Sequence, residues 1–351
     1  MVDRSNNECE IILGNSNKKF SGVTSTMLQV LSVQKESADI AVLGQYHLPD
    51  DINALNFFQA LKVCRRPLSS GLPRVFHARR NDEMIQGLLL KVLSPTAIRL
   101  VFTSTAQRQK TWITRWLMSK MDGLLTTCSA AHQFMLEPAD AVIPHGINIG
   151  RMVEQQPTKE HDLPGKYNVG IFGRVRHQKG IDLFVDALLE VLPNQPDWAG
   201  VVVGEITAQN ETFVSGLKKK IDKAGLGDRI RFYGEVDFQD IPWFYRSMDI
   251  VTSLSRNEGF GLTVPEAMSV AKPVIATRAG AWPDIIEQDV DGLLIDVADV
   301  DALVRGLNDY MASPEKREST GFKAQEKVQQ LYTIDREAQA LLSYYRQLQN
   351  S

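Results

Sequence analysis

Two carboxylates, Glu258 and Glu266, bracket a glycine-rich turn in the stretch RNEGFGLTVPEAM, residues 256–268. Paired carboxylates can be the acid and base of a sugar hydrolase. They can equally be two grips on a ligand that another part of the protein activates. Gly259 and Gly261 flank Phe260, so the backbone can turn tightly there and present N–H groups. Pro265 suits the first turn of a short helix, where its missing N–H costs nothing, and Glu266 follows it. A carboxylate near free N–H groups is favoured in its charged form. The expectation is therefore that both carboxylates are charged, good acceptors from sugar hydroxyls and poor proton donors. The plainer alternative for Glu266 is that it caps its own helix.

Other segments carry complementary chemistry. In IFGRVRHQKGIDLFVDALLEVL a strand ends at Gly173 and a helix begins near Gly180, with Arg174 and Lys179 in the connection. Backbone N–H groups at a helix start favour anions, and an added Arg and Lys strengthen a phosphate site. The segment lacks GxxxxGK[ST], so it is not a P-loop. Ser21-Gly22 stands between a strand and a helix whose expected cap is Thr24 or Ser25, and Gly22 lets a ligand approach the backbone. RVFHARRND ends a strand with His77, Arg79 and Arg80. A histidine there is expected to face a cleft, with a satisfied structural histidine as the alternative. The arginine pair can hold carboxylate or phosphate through charge-assisted hydrogen bonds. In RQKTWITRWLMSKM, helical spacing puts Trp112, Trp116 and Ser119 on one face, with Arg108 and Arg115 nearby. That pattern fits a helix at a membrane surface, or one packed on a core with a wet side.

The elements that must position these residues are legible as two sets. Short apolar runs at 9–14, 40–44, 74–78, 98–103, 123–128 and 141–145 read as strands, separated by helical patterns that include 105–121. The pattern restarts at 167–173, 199–204, 230–234, 250–254, 273–277 and 292–296, and the tail after about residue 298 reads as helical. Nearly continuous apolar strands between helices imply parallel sheets buried on both faces. The expected fold is α/β, with two facing, doubly wound Rossmann-like domains and an active site in the cleft between them. The boundaries read are 1–155, 165–330 after the polar run 153–166, and a final helix, 331–351, returning to the first domain.

Composition sets limits. The 351 residues are 43% hydrophobic and 23% charged, as in an ordinary globular protein. The opening MVDRSNNECEIILG does not read as a secretory signal, and no apolar run is long enough to span a membrane. Cys9, Cys64 and Cys128 are odd in number and far apart, which suits a reducing cytosol. No CxxC or HxxxH pair, and no Asp-x-Asp pair suited to a metal, is evident, so the metal expectation is none. Residues 1–150 hold 16 Lys and Arg against 12 Asp and Glu, while the net charge of the whole chain is -3. Within 62–120 there are 12 basic residues and only two acidic ones, Asp82 and Glu83. Such a segment is either a solvated surface or one that faces phosphate, carboxylate or anionic lipid.

In combination and order, IFGRVRHQKG, FYGEV, the Glu258–Glu266 pair, PVIATRAG and DGLLID resemble the retaining glycosyltransferases of family 4, with the GT-B fold. HARRN, FTSTAQR and IPHGIN look like bacterial lipopolysaccharide core mannosyltransferases. The resemblance implies that Arg174 and Lys179 hold the donor diphosphate and that Glu266 accepts from the donor ribose. Glu258 would meet the transferred sugar's hydroxyls, with the backbone of Phe260, Gly261 and Leu262 orienting it. Gly22 would let the first loop approach the diphosphate, and His77 would touch the donor sugar. Two departures concern the sugar pocket: Ala271 stands where the family often has Gly, and Gly280-Ala281-Trp282-Pro283-Asp284 replaces GGxxE.

The expected reaction is transfer of a hexose, with GDP-mannose as co-substrate, no further cofactor and no metal. The expected acceptor is an acidic, lipid-linked saccharide of the lipopolysaccharide inner core, contacted by Arg79 and Arg80. Lys62, Arg65, Arg66, Arg108, Lys110 and Arg115 would draw the enzyme to the anionic cytoplasmic face of the inner membrane. No nucleic acid partner is expected. Other readings stay open: a UDP-sugar glucosyl- or galactosyltransferase, an epimerase or phosphorylase on the same fold, or a non-catalytic nucleotide-sugar-binding protein.

Overall fold

The computed structural model describes residues 8–19, 21–135 and 137–351. The polar opening before residue 8 lies outside the described residues. The chain forms two compact units, Met1–Gly146 with Ile334–Ser351, and Ile147–Thr333.

The first unit is a seven-stranded parallel sheet. Its strands are β1 (Ile11–Gly14), β2 (Ile40–Leu43), β3 (Asn53–Leu55), β4 (Arg74–Ala78), β5 (Ile98–Ser104), β6 (Gly123–Thr126) and β7 (Ala141–Val142), in the order β3-β2-β1-β4-β5-β6-β7. Its helices begin with α1 (Gly22–Gln34), α2 (Phe57–Cys64), α3 (Asn81–Leu93), α4 (Trp112–Met118) and α5 (Ser129–His132). On one sheet face Ala60, Val63, Met84, Leu90 and Leu117 from α2, α3 and α4 join Phe76 and Leu100 in a core. Gly87 lets α3 lie close, since a Cβ there would stand 2.6 Å from the Phe76 ring.

The second unit has six parallel strands: β8 (Tyr167–Phe172), β9 (Trp198–Val203), β10 (Ile230–Gly234), β11 (Ile250–Ser253), β12 (Val274–Thr277) and β13 (Leu293–Ile295). Their order is β10-β9-β8-β11-β12-β13. Its helices are α6 (Ile149–Glu154), α7 (Ile181–Val191), α8 (Glu211–Lys223), α9 (Ile241–Arg246), α10 (Thr263–Ser269), α11 (Trp282–Ile285), α12 (Val300–Ala312) and α13 (Pro314–Leu331). The last helix, α14 (Ile334–Gln349), belongs to the first unit. There Leu341, Leu342 and Tyr345 pack with Met27, Val30 and Leu31 of α1 on the other sheet face.

Four expectations are corrected. The division falls at residue 146/147, ahead of 155, because the polar run is tied to the second unit. Thr158 donates to Asp240 at 2.6 Å, His161 contacts the same carboxylate at 2.8 Å, and Arg246 donates to the Met152 and Gln155 carbonyls. Strand β3 was not expected; three residues at a sheet edge give almost no periodic signal. The helix expected over 105–121 is reduced to Trp112–Met118, with Thr111 as its N-cap, so Arg108 is on a loop. The α1 cap is Ser21, whose hydroxyl accepts from the Thr24 N–H.

Ala271 has φ +57, a left-handed conformation that suits glycine better. Its carbonyl would lie 2.1 Å from a Cβ at Gly321, so Gly321 is what lets α13 settle against this turn.

Candidate active site

Strand order reverses at β8 and β11 in the second sheet, and the crevice beyond such a reversal is where ligands of doubly wound sheets bind. The two loops leaving these strands are 173–180 and 254–262, the two motif segments of that unit. They are braced together. Arg256 forms a forked ion pair with Asp182 at 2.9 and 2.7 Å and donates to the His177 carbonyl, while Gln178 donates to the Asn257 carbonyl. Gly180, at φ +70, allows the approach, since a Cβ there would stand 2.2 Å from the Leu254 carbonyl oxygen.

Within this frame the Lys179 ammonium pairs with Glu258. Glu258 also accepts from the Ser255 hydroxyl at 3.1 Å and from the Gly259 N–H at 3.2 Å. The Lys179 ammonium lies over Gly173, where a Cβ would stand 3.9 Å from it. Arg174, one residue on, pairs with Glu205 at 2.9 Å in a half-exposed contact. Exposed pairs of this kind contribute little and exchange partners readily.

Glu266 is held from below. Phe172, at the end of β8, stacks on Tyr245 with ring centroids 3.8 Å apart, and the Tyr245 hydroxyl donates to Glu266 at 2.8 Å. α10 has Leu262 as its N-cap and no side-chain cap, so the Glu266 carboxylate does not cap its own helix. Burial raises the Glu266 carboxyl above the usual range, while Tyr245, Arg151 and Lys179 pull it back down. The expectation that the free N–H groups of the glycine turn and the helix start keep Glu266 charged is thus corrected. Desolvation opposes ionisation, and the hydrogen bond from Tyr245 and the two cations support it.

The altered GGxxE segment has a defined role. Trp282 is buried, and its indole N–H donates to the Gly261 carbonyl at 2.9 Å. Gly261, at φ +81, leaves no room for a Cβ beside that indole and Glu258. The Ala281 N–H meets the Phe260 carbonyl. Trp282 therefore fixes the turn that carries Phe260, Gly261 and Leu262.

In the first unit strand order reverses at β1 and β4. Glu83, fully buried, ties the two loops there. It accepts from the Ser16 N–H and hydroxyl, the Arg79 and Arg80 N–H groups, and the Arg80 guanidinium at 2.7 Å. Gly14 makes room, since a Cβ there would stand 2.9 Å from Glu83. Arg80 also donates to Ser21 and Thr24, so its guanidinium braces the Ser21-Gly22 turn and is not spare for an acceptor. The space where a Gly22 Cβ would stand is open.

His77 is corrected outright. It is fully buried, with one ring nitrogen on the Tyr345 hydroxyl at 2.5 Å and the other on Thr103 at 2.7 Å. Burial, aided by nearby Arg79, pushes its pKa well below the ordinary histidine value, so it is a neutral structural residue joining α14 to the sheet. Arg79 differs from Arg80: its Nη1 is buried without a hydrogen-bond partner.

The cationic segment 62–120 is less free than its count implies. Arg74 is buried against the Cys9 and Arg66 carbonyls, and Lys91 and Arg99 both face Asp122. The chain does contain Asp-x-Asp pairs, at 289/291 and 299/301, and both serve structure. Asp291 binds Lys327 and the Glu287 N–H, and Asp299 caps α12. Reading by motif missed Arg256, Tyr245 and Trp282. Arg256, inside RNEGFG, and Trp282, inside the altered GGxxE segment, lay where a signal existed; Tyr245 did not.

Two parallel, doubly wound sheets of this kind define the GT-B class of fold. The fold matches Alr3699/HepE of Anabaena, solved in complex with UDP, at a TM-score of 0.80, with 17% identity over 96% of this chain and 100% of that one. The profile of the family described as glycosyl transferases group 1 matches residues 154–327. The chain is 40% identical to the lipopolysaccharide core biosynthesis mannosyltransferase LpcC of Rhizobium leguminosarum bv. viciae, over 97% of each chain. It is 37% identical to the lipopolysaccharide core biosynthesis mannosyltransferase LpsB of Rhizobium meliloti, over 97% of this chain and 98% of that one. The chain belongs to the group 1 glycosyltransferases and is an enzyme of that kind.

Proposed function

We propose that this enzyme moves mannose from GDP-mannose onto a hydroxyl of an acidic, lipid-linked core saccharide of lipopolysaccharide, with retention and without a metal. The observation that carries the reading is the part-buried Lys179–Glu258 pair beside the Glu266–Tyr245 contact, at the ends of β8 and β11. The choice of mannose and of lipopolysaccharide rests on what the two full-length relatives are named for.

In the free enzyme Lys179 and Glu258 satisfy each other. A bound donor exchanges that pair: Lys179 turns to the diphosphate, Glu258 to the sugar hydroxyls, and Arg174 leaves its weak pair with Glu205. Glu266 accepts from the ribose. As the anomeric C–O bond to the diphosphate breaks, fixed positive charge stabilises the leaving oxygen. The acceptor hydroxyl oxygen forms the new bond from the same face, and its proton passes to the departing phosphate. No protein nucleophile is required, which accords with the buried, neutral His77.

The enzyme works at the cytoplasmic face of the inner membrane in this reading. No described helix is long and apolar enough to cross a membrane. The layer α2–α3–α4 nonetheless turns apolar side chains outward. Phe58 is 80% exposed, Val92 79% and Trp112 76%, with Ile85, Leu89, Ile113 and Trp116 also exposed. Ile85, Leu89 and Val92 recur at helical spacing along α3, where a soluble helix is ordinarily polar. Exposed Lys62, Arg65, Arg66, Arg108, Arg115 and Lys120 stand in the same part of the chain. Aromatic and aliphatic side chains among cations suit an anionic lipid surface.

Incubation with radiolabelled GDP-mannose, with and without core acceptor lipid, tests the reading. Label transferred only when acceptor is present supports it. Transfer from UDP-glucose or UDP-galactose instead would replace mannose, and conversion of free sugar nucleotide without transfer would mean an epimerase.

A further inference from the structure

A cavity of about 430 Å3 opens at the carboxyl ends of β4 and β5, wholly within the first unit. That is ample for a sugar-sized ligand. β4 and β5 pair with Ala78 opposite Phe102, so Arg79 emerges beside Thr103, and Ser104 ends β5 one residue further on. Loop 105–111 closes the other side and brings Arg108 and Lys110. Four cations line the cavity and no carboxylate does.

Two of its polar groups lack partners. Ser104 is only 2% exposed and its hydroxyl makes no hydrogen bond; the Arg79 Nη1 is likewise buried and unpartnered. Leaving a buried donor unmet is costly, more so when it is charged. The Lys110 ammonium spends one of its three donors on the Ala106 carbonyl. Arg80 is already committed to Glu83, Ser21 and Thr24. The lining offers a nucleobase no stacking surface, because its one aromatic ring, Phe102, is buried in the core. The unmet groups are donors, and together they match an oxyanion.

We infer that this cavity binds the oxyanion of the acceptor saccharide, a carboxylate or a phosphate monoester, through Arg79 Nη1, the Ser104 hydroxyl and the Lys110 ammonium. This rests on the transfer reading above, and it assigns Arg79, not Arg80, to the acceptor. The sugar bearing the oxyanion fills the remaining space toward Asn81 and Thr111.

The test titrates the full-length enzyme, without nucleotide, with glucuronate, glucose 6-phosphate, inorganic phosphate and glucose by calorimetry. Binding of at least one of the three anions and none of glucose supports the site. Glucuronate binding more tightly assigns a carboxylate, and glucose 6-phosphate or phosphate binding more tightly assigns a phosphate. Arg79→Gln and Lys110→Met should each weaken the preferred anion on the order of tenfold, and Ser104→Ala a few-fold. Lys110, on a surface loop, keeps the test valid if Arg79→Gln fails to fold. Equal affinity for glucose, no anion binding, or unaltered anion affinity in Lys110→Met would overturn the inference. GDP binding and donor hydrolysis are read in parallel. Anion binding lost with GDP binding intact upholds the site even if mannosyl transfer is never seen. Transfer with unchanged acceptor KM in Arg79→Gln sinks the site and leaves the glycosyltransferase reading standing.

Discussion

The carboxyl edges of the two sheets share one strand order over six strands but treat most of their polar groups in opposite ways. In the second unit the candidate side chains are already paired, Lys179 with Glu258, Arg174 with Glu205, Arg256 with Asp182 and Glu266 with Tyr245, although Arg176 Nε in the same loop is buried without a partner. In the first unit, Arg79 Nη1, the Ser104 hydroxyl and the Thr126 and Thr127 hydroxyls lie buried with no hydrogen-bond partner. A preassembled edge binds by exchanging partners, so its net gain depends on how much better a diphosphate serves Lys179 than Glu258 does. An edge with unmet donors gains from any anion of the right size. The first arrangement favours selectivity for one donor. The second leaves selectivity to charge and shape.

The largest expected effect falls on the paired edge. Lys179→Ala should lower turnover by about 100-fold or more, the scale of one lost preorganised charge contact; near-normal turnover would remove Lys179 from the chemistry. Glu266→Ala should weaken donor binding by about 10- to 100-fold, the range for a hydrogen bond involving a charged group, measured as the Kd for GDP or GDP-mannose. An unchanged Kd would count against the ribose contact.

The unpaired edge offers smaller effects. Replacing Trp112 and Trp116 together by Ala should reduce partitioning to anionic vesicles by about tenfold or more, and no change would return α4 to ordinary packing. Lys110 supplies a pH test. Burial, with Arg108 nearby, brings its pKa down from 10.5 to about 8. A bound oxyanion favours the ammonium and raises that pKa, so binding takes up a proton above pH 8. Glucuronate affinity should therefore fall as pH rises through about 8, by up to about tenfold per pH unit. Arg79, Arg80 and Arg108 line the same cavity, and a flat profile would exclude Lys110. The smallest effect concerns neither ligand. Ala271→Gly should raise stability by about 0.5–1 kcal/mol in denaturant unfolding, by relieving the left-handed alanine.

Much of this was legible in the sequence. Apolar runs between helical patterns located twelve of the thirteen strands to within a few residues, because a strand buried on both faces writes its hydrophobicity into adjacent residues. The glycines of 259–261 and 173–180 marked the loops that do lie at the strand reversal of the second unit. His77 and Arg80 read wrongly for one shared reason. Both stand where a strand ends, and only their distant partners, Tyr345 and Glu83 among them, decide that His77 is buried and that the Arg80 donors are committed. The helical pattern over 105–111 misled because its charges and small polar residues are as compatible with a loop.

The two parallel sheets, the helical tail and the family of reaction can be read from the residues alone, since these rest on local periodicity and short motifs. Tertiary structure alone decided which cation meets which carboxylate. Lys179 and Glu258 are 79 positions apart, and Arg256 and Asp182 are 74. It alone separated a committed Arg80 from an unmet Arg79 one residue away. The physical reason is that hydrogen-bond satisfaction depends on whatever the strand order brings alongside, and neighbours in the chain carry no record of it.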